Sequence, residues 1–364
     1  MLIDGLKIAG FAHGVERSSH SRAGEILERA VAGGSVGEIC ERLAAEGYGK
    51  REVLDALGQA AADGRISVEW ETNSPELKTV FGGGPEAERI CRRAPHWWNA
   101  LAYEREWDEY PEYNDFLYEQ SPVYHKKQYQ WQIYEEALRP VLSRLSAGSR
   151  VLDIGGGVGR AAVPLAERGV DVTLVDTSPR ALNSAWGSLA RQSGRGYDLA
   201  WRDASSLDGI EDRSMDAALA LEVICYVGKP EAALKEAVRC VRPGGWVAFS
   251  VENKLGAMAA DHHLGLPERL NLLMSKKTRI DGELFVSYYS DGELLEMARG
   301  AGMESARLMK SHFTADGLFG GAVRESDYAD AAARRRLMSL ERLARELPFI
   351  KQFARASLVY GFVK

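Results

Sequence analysis

The stretch VLDIGGGVGR, residues 151–160, decides the fold. Its first half is apolar up to Asp153 and reads as a strand. Gly155, Gly156, Gly157 and Gly159 then turn the chain into a helix. Glycine is the residue to use where a ligand must reach the main chain, because a Cβ would block the approach. The helix start adds free N–H groups and the positive end of a dipole. A dinucleotide fingerprint is spaced G-x-G-x-x-G. Here Gly155, Gly157 and Gly159 run G-x-G-x-G, and Arg160 stands where the third dinucleotide glycine would be. An acidic residue just ahead of the turn is ill placed for a pyrophosphate. It suits a ligand that carries a cationic amino group.

On the C-terminal side, strand and helix patterns alternate. VDVTLVD is a second strand ending at Asp176, which lies 19 residues after Gly157 (176 minus 157) and is followed by Thr177. Pro179 opens a helix, the position where its missing N–H costs nothing. DLAWRDA is a third strand with Asp203 and Ala204 at its end, and MDAALALE a fourth, ending in Leu221 and Glu222. EAALKEAVRCV is a helix, expected to stop at Pro243-Gly244-Gly245 before the strand WVAFSVE, which ends at Glu252. SDGELLEMARGAG is another helix, and MESARLMK and ASLVYGFVK are two closing strands. Such alternation predicts a mostly parallel sheet covered on both faces, which binds its ligand at the carboxyl ends of the strands.

At these residues the sequence resembles the class I S-adenosylmethionine-dependent methyltransferases. VLDIGGGVG resembles their first motif, TLVDTSP the ribose-binding second and WRDASSL the third; MDAALALEVICYV and VRPGGWVAFSVEN resemble the two that follow. The resemblance covers about residues 148 to 364. It implies an α/β, Rossmann-like seven-stranded sheet whose last two strands pair antiparallel at one edge. It also implies S-adenosyl-L-methionine as cofactor and S-adenosyl-L-homocysteine as product. The cofactor-binding residues it implies are Asp153, Gly155, Gly156, Gly157, Gly159, Asp176, Thr177, Asp203, Ala204, Leu221 and Glu222. Asp176 would accept the ribose hydroxyls, Asp203 the adenine amino group, and the Ala204 N–H would donate to the ring. No metal is expected. The alternative is a protein that senses the cofactor and regulates a partner or DNA without turnover.

Methyl transfer to a hydroxyl or amine needs a proton acceptor, and members of this superfamily share no universal catalytic residue. The candidates are His262 and His263, beyond the end of a strand, His125 in the segment SPVYHKKQYQW, and Glu252. For each histidine a surface or structural role is the ordinary alternative.

Three regions are expected: 1–75, 76–147 and 148–364. The first carries three short helical patterns and the strand RISVEW, a winged-helix-like arrangement. Asp4-Gly5 within LIDGLKIAG reads as a hairpin turn. This region resembles both the winged-helix dimerisation module of plant-type O-methyltransferases and a PqqD-like peptide-recognition element. It is therefore expected to bind a leader peptide by strand addition or to form a homodimer. The middle region combines the linker NSPELKTVFGGGPE with an aromatic cluster, and is expected to cap the acceptor pocket or to pack as an ordinary helical linker.

With 46 Lys+Arg against 52 Asp+Glu, the net charge of −6 disfavours a nucleic-acid partner. No apolar run approaches a membrane span. The opening MLIDGLKIAG lacks the features of a secretion signal, and the four cysteines form no CxxC; both fit a cytoplasmic protein. The expected acceptor is a natural-product small molecule or a precursor peptide.

Overall fold

The computed structural model describes residues 6–11, 22–33, 36–49, 52–53, 56–57, 60, 66–70, 103, 107, 110–190, 196–260, 277–280 and 284–364. The chain divides into two compact units, one of residues 1–109 with 177–180, the other of residues 110–176 with 181–364.

The first unit holds β1 (Leu6–Phe11), α1 (Arg22–Ala30), α2 (Val36–Ala45) and β2 (Ile66–Trp70). Ile26, Leu27 and Ala30 of α1, and Ile39 and Leu43 of α2, bury the inner faces of the two helices, with Ala30 three and four residues on from Leu27 and Ile26, and Leu43 four on from Ile39. A third helical stretch is described only at residues 52–53, 56–57 and 60, where Val53 and Leu57 are buried. β1 pairs antiparallel with β2, about sixty residues on, with a bulge between Ile8 and Gly10. LKIAGF is thus one strand of a two-stranded ribbon; Asp4-Gly5 and the linker 73–86 lie outside the described residues.

The second unit is built on one sheet. Its strands are β3 (Arg150–Ile154), β4 (Asp171–Asp176), β5 (Tyr197–Trp201), β6 (Met215–Ala220), β7 (Val241–Glu252), and, past a ribbon of β8 (Lys277–Ile280) and β9 (Leu284–Ser287), β10 (Met303–Ser311) and β11 (Ala356–Val363). The order across the sheet is β10-β11-β7-β6-β3-β4-β5. β3 to β7 run parallel, while β11 is antiparallel to both β7 and β10, as the resemblance implies. β3, β6 and most of β7 are buried on both faces, which explains their unbroken apolar runs.

The connecting helices are α3 (Tyr124–Ala137), ahead of the sheet, then α4 (Ala162–Glu167), α5 (Pro179–Ala190), α6 (Pro230–Cys240), α7 (Lys254–Ala260), α8 (Asp291–Ala301), α9 (Glu325–Ala329) and α10 (Ala331–Glu346). α8 starts where its sequence says. Ser290 and Glu293 form a reciprocal capping box, and Gly302 ends the helix at φ 100°.

The sequence reading differs from the structure at two places. Pro243-Gly244-Gly245 does not separate helix from strand: α6 stops at Cys240 and β7 begins at Val241. Val241 pairs with Met215 and Trp246 with Ala217, so the three residues bulge out of the strand. The sequence patterns also passed over α9 and α10, which fill the connection between the last two strands.

Candidate active site

The glycine turn sits at the head of β3. The N–H of Gly155 donates to Val175 O at 2.7 Å, tying the turn to β4. Gly157 has φ 56°, and a Cβ there would meet nothing within 4 Å among the described residues. The turn therefore faces open space in a backbone conformation that a β-branched residue resists. The Gly157 N–H donates to Asp176 Oδ2 at 2.8 Å, so the carboxylate at the end of β4 is fixed against the turn. Gly156 is constrained differently: a Cβ there would come within 2.7 Å of Asp153 Oδ2.

Asp153 is buried, and its Oδ2 has no hydrogen-bond partner among the described residues. Burial pushes its carboxyl up to about 7, the Arg160 guanidinium pulls it down, and Asp176 pushes it up again. A buried, unpartnered carboxylate oxygen is costly. Beside a turn that opens onto space, it fits the cationic amino group of S-adenosylmethionine.

The other implied cofactor residues lie along the same edge. Asp203 follows β5 and accepts from the Ser205 N–H at 2.7 Å and from its hydroxyl at 2.5 Å, which fixes that carboxylate. Ala204 and Leu221 are buried. Thr177 is the next residue in the chain after β4.

Glu222, two residues beyond β6, has the left-handed φ of 62°, uncommon outside glycine. Its backbone N–H donates to Ser250 Oγ at 2.8 Å on β7. Its Oε1 accepts from the Tyr134 hydroxyl at 2.9 Å, and its Oε2 is 3.2 Å from Arg160 Nη2. Burial opposes its ionisation, but Arg160, Lys127, His312 and the Tyr134 hydroxyl together hold the carboxyl well below the usual range.

This arrangement extends past the expected residues. Arg160 packs over the Tyr134 ring, 5.4 Å from its centroid. The His312 ring lies 4.3 Å from Tyr134, centroid to centroid. Asp316, at φ 59°, accepts from Lys126 Nζ at 2.9 Å and from Gln130. Tyr134, Gln130 and Lys126 lie on α3, whose aromatic composition was noticeable in the sequence; His312 and Asp316 lie beyond β10 and carried no sequence signal.

The candidate bases scatter. Glu252 is buried at the end of β7, where its Oε1 accepts from Arg355 Nη2 at 2.8 Å and from the Tyr226 hydroxyl, while Oε2 is unpartnered. His125 lies in the first turn of α3 with its ring edge-on to Tyr124, and its backbone N–H donates to Glu325 at 2.7 Å. His262 and His263 lie outside the described residues. Among the described residues no three or more His, Cys, Asp or Glu are grouped as metal ligands would be.

The chain is similar to known methyltransferases. The methyltransferase-domain family model matches residues 152–249. A ubiquinone biosynthesis O-methyltransferase of Aromatoleum aromaticum is 32% identical over 163 residues, which are 45% of this chain and 67% of the relative. One of the same description from Idiomarina loihiensis is 36% identical over 124 residues, 32% of this chain and 51% of the relative. The matched segment thus spans from about half to two thirds of these relatives' length. The solved S-adenosylmethionine-dependent methyltransferase of Mesorhizobium loti aligns with a TM-score of 0.43 and 20% identity, over 62% of this chain and 96% of its own. The chain belongs to the class I S-adenosylmethionine-dependent methyltransferases, whose cofactor is S-adenosylmethionine. Among the described residues, no helix is long and apolar enough to cross a membrane.

Proposed function

We propose that this chain moves a methyl group from S-adenosylmethionine to a nucleophilic oxygen, nitrogen or carbon of a small-molecule or precursor-peptide acceptor. Oxygen is favoured, because the relatives are named as O-methyltransferases. The observation that carries this reading is Asp153, a buried carboxylate whose Oδ2, among the described residues, lacks a partner beside the glycine turn. S-adenosylmethionine supplies an activated methyl group on a sulfonium, so the protein's work is binding, orientation and proton management. In this reading Asp153 holds the amino group, and the glycine turn leaves room for the cofactor to lie against the main chain. Asp176 receives the ribose and Asp203 with Ala204 the adenine. Leu221 and Glu222 close the acceptor side.

The tests are calorimetric titration of the intact protein with S-adenosylmethionine and mass-spectrometric detection of transferred label from candidate acceptors. Submicromolar to micromolar binding with transfer to an acceptor is expected. Binding without transfer to any acceptor would favour a cofactor sensor, and absence of binding would remove the reading altogether.

A further inference from the structure

The outward face of α10 carries apolar side chains in water. Exposed positions recur along it three and four residues apart, at Arg335, Ser339, Arg342, Leu343, Glu346 and Leu347, so they form one stripe. The second half of the stripe holds two leucines. Leu343 is 55% exposed and Leu347 42%. Pro348 follows the end of the helix. Phe349, next in the chain, is 74% exposed, and its ring stands edge-on to Phe353, 5.4 Å away between centroids. Leu255 of α7, which packs against the helical turn Ile350–Phe353, is exposed as well. Single exposed apolar residues are ordinary, but a group of them marks an interaction surface.

The helix is held from its other side. Glu341 is fully buried, and its carboxyl accepts from the N–H groups of His312, Phe313 and Thr314 at 2.6, 2.8 and 3.1 Å. Arg342 and Arg345 both reach Glu136 of α3. The outward leucines are thus fixed in place by the opposite face of their own helix. The charge around them is one-sided. Residues 331–355 hold seven basic residues and two acidic ones, in a chain whose net charge is −6. Glu341 is inside, which leaves Glu346 as the exposed acid of this segment. Arg335, Arg336 and Lys351 all face solvent.

We propose that this face docks on an anionic lipid surface. Leu343, Leu347 and Phe349 enter the headgroup boundary, while Arg335, Arg336 and Lys351 lie against the lipid phosphates. Charge selects the sign of the occupant. An acidic chain is repelled by an anionic surface except where its basic residues gather. Exposure selects its form. A ring that is three quarters open stands clear of the protein, and a lipid layer takes up a protruding group, whereas a peptide partner is bound by a groove that takes in its side chains. A second copy of the chain would set like charges against each other, because a two-fold contact pairs a patch with itself. The attachment is by one amphipathic face and involves no span. The inference stands apart from the methyl-transfer reading, since lipid binding is read without cofactor or acceptor.

The test is sedimentation of the intact protein with vesicles, one set of phosphatidylcholine alone and one with about a third phosphatidylglycerol. Binding to the mixed vesicles is expected, falling as salt is raised, with little binding to phosphatidylcholine alone. Phe349→Ala should weaken binding to the mixed vesicles by about tenfold or more, and the double change Arg335→Glu with Arg336→Glu by at least as much. These side chains are exposed, so the variants should keep the parent's Tm within about two degrees. In the unmodified protein, amide exchange across residues 343–353 should slow on the mixed vesicles, a reading that needs no variant to fold. Absence of binding to the mixed vesicles would overturn the proposal. So would equal binding to both vesicle sets, or variants that bind as the parent does. A dimer in light scattering that Phe349→Ala dissociates, with no vesicle binding, would give the face to a second copy and overturn it as well.

Discussion

Asp153→Asn should make the ligand-free protein more stable while weakening its hold on the cofactor. Burial holds this carboxyl at about 7 where an ordinary aspartate has 3.8. At about 1.4 kcal/mol per pH unit, that difference destabilises the folded chain by about 4 kcal/mol at pH 7 and above. The sign follows from proton binding. Between pH 3.8 and about 7 the folded protein keeps a proton that the unfolded chain has lost. Stability therefore falls as pH rises through that window and is level above it. Asparagine removes the charge and keeps an oxygen for the Ala162 N–H that Asp153 now accepts. It also introduces a buried NH2 without a partner, which costs about 1–3 kcal/mol. The net expectation is a gain of roughly 1–3 kcal/mol at pH 7.5, at about 2–4 °C of Tm per kcal/mol for a unit of this size.

The assay is thermal unfolding followed by circular dichroism at pH 5 and pH 7.5, with and without S-adenosylmethionine, beside calorimetry. The advantage of the variant should shrink at pH 5, where the aspartate is largely protonated in the folded state. Cofactor affinity should fall at least about tenfold, because a charge-assisted contact contributes about 1.5–3 kcal/mol. For the unmodified protein near pH 6.5, cofactor binding should release protons, measurable as a dependence of the binding heat on the buffer. A variant that is less stable at both pH values and binds the cofactor as tightly as the parent would refute the reasoning.

Asp176→Ala should weaken S-adenosylmethionine binding at least about tenfold, since it removes both the proposed ribose contact and the acceptor of the Gly157 N–H; unchanged affinity in calorimetry would sink the ribose assignment. Gly157→Val should be worse, because its side chain would enter the open space at φ 56°, and normal cofactor binding by that variant would mean the turn is not the site. Glu341→Gln should lower Tm by several degrees, because an amide donor would face backbone N–H groups that now donate to a carboxylate; a Tm within a degree of the parent would show that the turn does not depend on it. Deleting residues 1–75 should leave cofactor affinity nearly unchanged, and should either raise KM for the acceptor or convert a dimer to a monomer, depending on whether the module recruits or dimerises. Steady-state kinetics and light scattering on the truncated chain separate these outcomes, and a truncated chain with unchanged size and unchanged KM would exclude both.

The parallel core was legible because its constraints are local. A strand buried on both faces must be apolar throughout, and the runs at 151–154, 215–220 and 246–252 say so without any knowledge of their neighbours. The glycine turn was legible for a related reason: close approach to a main chain leaves few residues to choose from. Where the reading slipped, a local rule met a tertiary one. Pro243-Gly244-Gly245 has the composition of a loop, yet the pairing of Val241 with Met215 continues the strand on its near side and turns the loop into a bulge. α10 reads as a charged surface segment, with Arg334, Arg335 and Arg336 in a row. Its inward contribution comes from Ala344 and from Glu341, a buried acid that hydropathy patterning scores as exposed.

The same physics separates the two halves of the site. Asp153, Asp176, Asp203 and Glu222 each stand at or just past the carboxyl end of a parallel strand, β3, β4, β5 and β6, so each could be picked in sequence from its own strand pattern. The cluster around Tyr134 is assembled from α3, the end of β6 and the loop after β10, elements as far apart in the chain as the 88 residues between Tyr134 and Glu222. His312 has no helical or strand periodicity to mark it, because it stands at a left-handed turn. Its importance is a property of the contacts that form around it. Glu341 is brought to it across 29 residues, and Tyr134 from α3, which precedes the parallel strands in the chain. A buried histidine of this kind cannot be recognised from its sequence neighbours, Ser311 and Phe313. It can be recognised only once the sheet has placed the ends of β7 and β10 at one edge.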